Sequence, residues 1–219
     1  MSLKINFSND SNVGNFSYLI AAKKDSLKKH GLPDFLQKEA NKFLQENKQE
    51  ILTSYNDKQK VTIFTYSNNE KDYSSKLDNA RIFGSKIYRV LLKDKRSNCF
   101  LKGLHELNTK EVYALLEGIF MASYSFNKYK TNKEYSVNSV YIEKGSISQK
   151  DLNELHNVMY AQHIARDLVN EPVITLNATA LSSEIQKLGK NHGFSVKVLH
   201  KTEIQKLKMG GLLGVNKGS

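Results

Sequence analysis

Asn108-Thr-Lys-Glu-Val-Tyr-Ala-Leu-Leu-Glu-Gly-Ile-Phe120 and, after a polar stretch, Ser136-Val-Asn-Ser-Val-Tyr-Ile142 carry the two periodicities from which the fold follows. In the first, Val112, Leu115, Leu116, Ile119, Phe120 and Ser123 recur at helical spacing and trace one face of a helix predicted over 109–126. Asn108 caps it, and Glu111 stands three residues later, as in a capping box. The second is β-branched and aromatic, which suits a pleated strand.

The same alternation extends outward in both directions. Upstream, Lys4-Ile-Asn-Phe7, Phe16-Ser-Tyr-Leu-Ile-Ala21, Val61-Thr-Ile-Phe-Thr-Tyr66 and Asn98-Cys-Phe-Leu101 read as strands. Between them, residues 33–47 and 75–94 read as helices, the second carrying Leu77, Ala80, Phe83, Gly84, Ile87, Val90 and Leu91. Downstream, a long helix is predicted over 149–169, with Ser148 as cap. Glu171-Pro172 ends it, because the residue before proline is pushed out of the helical region. Strands alternating with helices predict an α/β fold, a mixed sheet flanked by helices.

After Pro172 the pattern restarts. Asn177 caps a helix that Gly193 closes. Ser195-Val-Lys-Val-Leu199 reads as a strand, Thr202 to Leu207 as a short helix, and Gly210-Gly-Leu-Leu-Gly-Val215 as a turn. The organisation expected is an N-terminal α/β domain over 1–148, a linker helix over 149–169, and an incomplete second α/β domain over 170–219. That last segment is expected to lack sheet partners, leaving Leu181, Ile185, Val196, Val198 and Leu212 poorly covered.

Composition bounds the function classes. No apolar run approaches the roughly 20 residues of a membrane helix. Leu19-Ile-Ala-Ala22, followed by Lys23 and Lys24, is too short for a signal-peptide core. Cys99 is the single cysteine, so no intrachain disulfide can form, and a reducing cytoplasm is the expected location. The formal charge of +11 is uneven: residues 1–150 carry 25 Lys/Arg against 16 Asp/Glu, and residues 151–219 carry 8 against 6. An excess of this kind can draw a polyanion.

Four basic residues, Lys86, Arg89, Lys93 and Arg96, fall at i, i+3, i+7 and i+10, which places them along one helix face. They are the candidate nucleic-acid-binding residues, with Lys23, Lys24, Lys28 and Lys29 as a second cluster. The plainer reading is the solvated side of an amphipathic helix, and no aromatics interleave on that face for base stacking. Other chemistry is not spelled out. The six histidines include no His-Glu-x-x-His; His156 and His163 share a helix face at seven-residue spacing. No Gly-x-Gly-x-x-Gly, P-loop or Gly-x-Ser-x-Gly elbow occurs, and Cys99 lies in a predicted strand with no base beside it in sequence.

The remaining segments carry a resemblance. Ala165-Arg-Asp-Leu-Val-Asn-Glu-Pro172, the capped helix ending at His192-Gly193, Val196-Lys-Val-Leu199 and Met209-Gly-Gly-Leu-Leu-Gly-Val-Asn-Lys-Gly-Ser219 together resemble the leucyl aminopeptidase (M17) family. Tyr124-Ser-Phe-Asn-Lys-Tyr-Lys130 is similar to that family's Tyr-x-Phe-x-x-Tyr-Lys. The resemblance runs from Asn108 onward; residues 1–107 match in general layout. Two positions depart from the pattern: Ile174 and Ala178 stand where the family commonly has Asn and Pro.

The resemblance implies an N-terminal domain similar to macro domains, then the start of a peptidase catalytic domain. It implies a parent exopeptidase that removes N-terminal residues from peptides, using two divalent metals (Mn or Zn) in a hexamer, with DNA as a partner of some members. The family's metal ligands and catalytic Lys and Arg lie in downstream segments that this sequence does not include, and Lys217 belongs to an earlier landmark. No catalytic or metal-binding residue is therefore assigned, and this chain alone is expected to be non-catalytic. Three readings stay open: a portion of a metallo-aminopeptidase, a basic nucleic-acid-binding module, and a scaffold for assembly with the catalytic domain.

Overall fold

The computed structural model describes residues 3–9, 17–21, 27, 34–46, 51–56, 59–132, 135–215 and 217. They fall into two compact units, Met1–Ile164 and Ala165–Ser219.

The first unit is built on a six-stranded sheet in the order β1-β6-β5-β2-β4-β3. Its strands are β1 (Lys4–Ser8), β2 (Ser17–Ala21), β3 (Ile51–Asn56), β4 (Gln59–Thr65), β5 (Asn98–Lys102) and β6 (Ser139–Glu143). Five are mutually parallel; β3 alone runs antiparallel, against β4, in a ladder from Ile51↔Phe64 to Asn56↔Gln59. The helices are α1 (Asp34–Gln45), α2 (Tyr73–Lys93), α3 (Thr109–Ala122) and α4 (Gln149–Asn170), with a 3-10 turn at Leu104–Glu106. The mixed α/β class predicted from the alternation is the class observed.

Side chains alternate across the sheet with period two, and each face has its own cover. Ile5, Tyr18, Ile20, Phe64, Cys99, Leu101, Val140 and Ile142 join α2, α3 and the first half of α4 in the larger core. Leu19 and Ile63, from the opposite face, pack with Leu27 and with Leu36 and Ala40 of α1. Fully burying a residue such as Phe83, Ile87 or Leu115 contributes about 1.5–3 kcal/mol each.

The α2 and α3 helices approach one another unusually closely, and glycine permits it. A Cβ on Gly118 would lie 2.0 Å from the Arg81 carbonyl oxygen, and one on Gly84 would lie 2.0 Å from the Leu115 carbonyl oxygen. At the same crossing the Arg81 Nε donates to Glu117 Oε2 at 2.6 Å and its Nη1 to Asp78 Oδ1 at 2.7 Å. Burial works against the Arg81 charge, and these bonds outweigh it, so the guanidinium pKa is raised. Both helices are capped by side chains: Asp72 accepts from Ser75 N at 2.9 Å and Asn108 from Glu111 N at 2.9 Å.

The long helix begins with Ser148, whose Oγ accepts from Asp151 N at 3.0 Å. It is tied to the sheet edge by His156, whose Nε2 donates to the Ile5 carbonyl at 2.9 Å. Phe120 meets the same imidazole edge-on, with ring centroids 5.0 Å apart.

In the second unit, α5 (Ala178–His192) is followed by the short helices α6 (Lys201–Lys206) and α7 (Gly210–Val215). Asn177 caps α5 by accepting from Ala180 N at 3.0 Å, and Gly193 closes it at φ 76°, a left-handed conformation suited to glycine. Phe194 N returns to the Gly189 carbonyl at 3.1 Å, and Gly189 leaves room for Val196, whose Cγ2 would be 2.6 Å from a Cβ there.

The structure corrects several expectations. It adds β3, which pairs with β4 at the sheet's edge. The helix from Thr109 stops at Ala122, where Ser123 closes it, rather than at 126. Ser195–Leu199 is not a strand; its alternation suits one, but no described strand lies alongside to supply a ladder. Gly210–Val215 is a short helix rather than a turn, since glycine disfavours helix by about 1 kcal/mol without forbidding it. Leu181, Ile185 and Leu212 are exposed and Val196 and Val198 only half-buried, as expected for a poorly covered segment. Phe16 and the cluster Lys23, Lys24, Lys28 and Lys29 lie outside the described residues.

Two measurements follow from this packing. Helix propensity alone favours Gly118→Ala by about 1 kcal/mol, but the Cβ collides with backbone that cannot swing aside. Urea unfolding of Gly118→Ala should therefore show a net loss of about 1–3 kcal/mol; a gain would refute the close approach. Amide hydrogen exchange should be faster over 178–215 than over 109–122, because among the former residues only Gly189 of α5 is buried. Equal protection of the two segments would contradict it.

Candidate functional site

Parallel strands send their C-terminal ends to one edge of the sheet, the edge where open α/β sheets bind ligands. Two polar clusters stand there. Just beyond β4, the Tyr66 hydroxyl donates to Glu111 Oε1 at 3.1 Å. Asn68 Nδ2 lies 2.7 Å from the Tyr66 hydroxyl, 2.9 Å from Glu111 Oε1 and 2.9 Å from the Lys76 carbonyl. Asn108 Nδ2 donates to the other oxygen, Glu111 Oε2. Burial, more than the nearby carboxylate, pushes the Tyr66 phenol well above its ordinary range, so it acts as a neutral donor. The cluster ties β4 to the first turn of α3. It presents no activated nucleophile.

The second cluster joins β5 and β6. Gly103 N donates to Glu143 Oε2 at 2.8 Å, and His105 Nδ1 lies 3.1 Å from the same oxygen. Gly103 takes φ 85°, and a Cβ there would lie 2.1 Å from the Ile20 carbonyl oxygen, so β2 closes tightly on it. Cys99, on β5, is fully buried, and burial pushes its thiol far up; it is inert as a nucleophile.

The basic stripe is only partly a stripe. Lys86, Arg89 and Lys93 are exposed on α2, opposite buried Phe83, Ile87 and Leu91. Arg96 does not share their face, a correction to the i+10 reading. The helix ends at Lys93, Asp94 caps it, and Lys95 turns the chain at φ 50°. Arg96 is half-buried and its charge acts on Tyr18 and Tyr135. Tyr18 is pushed well above its ordinary range, by burial first and then by Asp94, to which its hydroxyl donates at 3.0 Å.

The histidines do not assemble a metal centre. His156 is engaged with Ile5, and His163 packs against the Tyr124 ring at 5.3 Å. Among the described residues no three His, Cys, Asp or Glu side chains converge to hold a metal ion. The residues present therefore do not fit the two-metal site that the resemblance implies for the parent. No described helix is long and apolar enough to cross a membrane.

Comparison with known proteins then gives the class. Residues 163–219 match the sequence profile of the "Cytosol aminopeptidase family, catalytic domain". A "Probable cytosol aminopeptidase" of Clostridium perfringens is 37% identical over 114 residues, covering 48% of this chain and 23% of the relative. A protein of the same description from Fusobacterium nucleatum is 29% identical over 215 residues, covering 90% of this chain and 42% of the relative. Among solved structures, a tomato leucine aminopeptidase mutant aligns over 95% of this chain and 46% of its own, with TM-score 0.69 at 15% identity. The cytosol aminopeptidase of Coxiella burnetii aligns over 93% and 41%, with TM-score 0.61 at 13% identity. These two likenesses concern the fold. The class is that of an α/β unit leading into peptidase catalytic-domain sequence. Residues 163–219 match the cytosol aminopeptidase (M17) catalytic domain, and the chain as a whole is similar to members of that family, spanning less than half the length of these relatives.

The cluster at Glu111 yields a double-mutant test. Glu111→Ala removes the acceptor shared by Tyr66 and Asn68 and should cost about 1–2 kcal/mol in chemical denaturation. Combined with Tyr66→Phe, the loss should fall short of the sum of the two single losses, because they share one bond. Strict additivity would show that the Tyr66–Glu111 contact contributes nothing.

Proposed function

We propose that these 219 residues form the N-terminal portion of a two-metal aminopeptidase that removes N-terminal residues from peptides, and that they serve assembly and positioning rather than catalysis. The observation that carries this reading is the match of residues 163–219 to the family's catalytic domain, following a sheet-and-helix unit. The proposal includes a macro-like N-terminal domain over 1–148, a linker helix over 149–169 and the opening of the catalytic domain over 170–219. It also includes a hexameric, cytoplasmic parent loaded with Mn or Zn.

Two-metal hydrolysis needs carboxylates that hold both ions, and no described cluster of this chain supplies them. What this chain's own residues do is mechanical. Asp72, Asn108, Ser148 and Asn177 each fix a helix start, and the Glu111 and Glu143 clusters fix the sheet's C-terminal edge. Exposed Leu181, Ile185 and Leu212 suit burial against further catalytic-domain sequence.

The test is direct. The purified chain, supplied with Mn²⁺ or Zn²⁺ and a leucine chromogenic amide, should show no turnover above buffer. Chelator-sensitive hydrolysis would overturn the non-catalytic assignment. Light scattering with and without catalytic-domain sequence appended should show the higher oligomer only in the longer protein; equal masses would remove the assembly role.

A further inference from the structure

A cavity of about 240 Å³ lies where α3 and the middle of α4 meet the start of β1. Its floor is apolar: Leu3, Phe120 and Met159 line it and are all buried. One wall is held rigidly. His156 is fixed from two sides, by its bond to the Ile5 carbonyl at 2.9 Å and by the Phe120 ring, which it meets edge-on at 5.0 Å. Met159 and His163 follow His156 at i+3 and i+7 and line the same cavity. The wall therefore runs roughly 10 Å along the helix. All of these residues belong to the first compact unit.

The rim is polar, and its chemistry is one-sided. Lys4 and Asn157 both line the cavity and are both exposed. Every polar side chain on the described lining can donate a hydrogen bond, and none is a carboxylate. The surrounding helix keeps the same bias: from Leu155 to Ala165 it carries no Asp or Glu. A lysine stem lies readily along an apolar surface while its ammonium stays at the edge. A cationic ligand would meet the Lys4 charge with no carboxylate to balance it. A bare inorganic anion would leave the apolar floor in contact with water. The volume is below the roughly 300–1,000 Å³ of drug-sized sites, which restricts the ligand to a small molecule.

We propose that this cavity binds a small organic carboxylate. Its aryl or short alkyl body rests on Leu3, Phe120 and Met159, and its carboxylate is held by the Lys4 ammonium and the Asn157 amide. The site is independent of the peptidase reading and of the basic residues of α2.

The test uses the full chain with isotope-labelled methionine methyl groups, titrated with phenylacetate and read by NMR. The chain has four methionines, and Met159→Leu identifies the Met159 signal. That signal should move saturably, while the signal of Met209, in the second unit, stays in place. Phenylacetamide and benzylamine, which lack the carboxylate, should bind at least about fivefold more weakly. Lys4→Met should weaken phenylacetate about fivefold and leave phenylacetamide unchanged, which separates lost charge from lost structure. Lys4 is exposed, so circular dichroism should show this variant folded as the parent chain. The absence of a saturable shift at Met159 overturns the proposal. So does phenylacetamide binding as tightly as phenylacetate, or an affinity for phenylacetate that Lys4→Met leaves unchanged. Inorganic phosphate producing the same shift with the same affinity would also overturn it, because the apolar floor would then contribute nothing.

Discussion

The first unit depends on how closely α2 and α3 can approach. Gly84 and Gly118 lie on opposite sides of that crossing, and each meets the other helix's backbone where any side chain would collide. Because the two helices lie that close, Phe83, Ile87, Leu115 and Ile119 can all reach the same sheet face. A wider crossing would open a gap along the core, and voids in a protein interior forfeit contact energy that nothing replaces. Arg81 brackets the crossing from outside, bound to Glu117 across the helix pair and to Asp78 on its own helix.

Much of this is legible in sequence because it is periodic. α2, α3 and α4 carry long apolar stripes, and five strands are rich in β-branched and aromatic residues, so their existence follows from local pattern. β3 is legible too: Ile51, Thr53 and Tyr55 recur at period two next to a strong strand, which is a hairpin signal. Ser195–Leu199 carries the same signal and forms no strand, because pairing depends on a neighbour that pattern alone cannot supply. The crossing at Gly84 and Gly118 is invisible in sequence, since a helical glycine reads only as a weakness until its neighbour is known.

The polar chemistry divides in the same way. Helix caps follow a local rule, and Asn108 and Asn177 do what their positions imply. The clusters at Glu111 and Glu143 join residues about 40 positions apart, which no spacing rule encodes. The basic stripe shows the opposite error. A spacing of i+10 places Arg96 on the α2 face only if the helix continues, and the left-handed turn at Lys95 ends it. The similarity to cytosol aminopeptidases is legible by a different route, from several short segments occurring in order rather than from any side chain now seen in a site.

The pairing of β1 with β6 has a consequence for synthesis. Lys4↔Ser139 and Ile5↔Val140 join the first strand of the sheet to be made with the last. His156, later still, caps the Ile5 carbonyl. Among the described strands, β1 therefore has no sheet neighbour until β6 has left the ribosome. The central strands β2, β4 and β5 can pair before then, so the sheet grows from its middle and the β1 edge is sealed last.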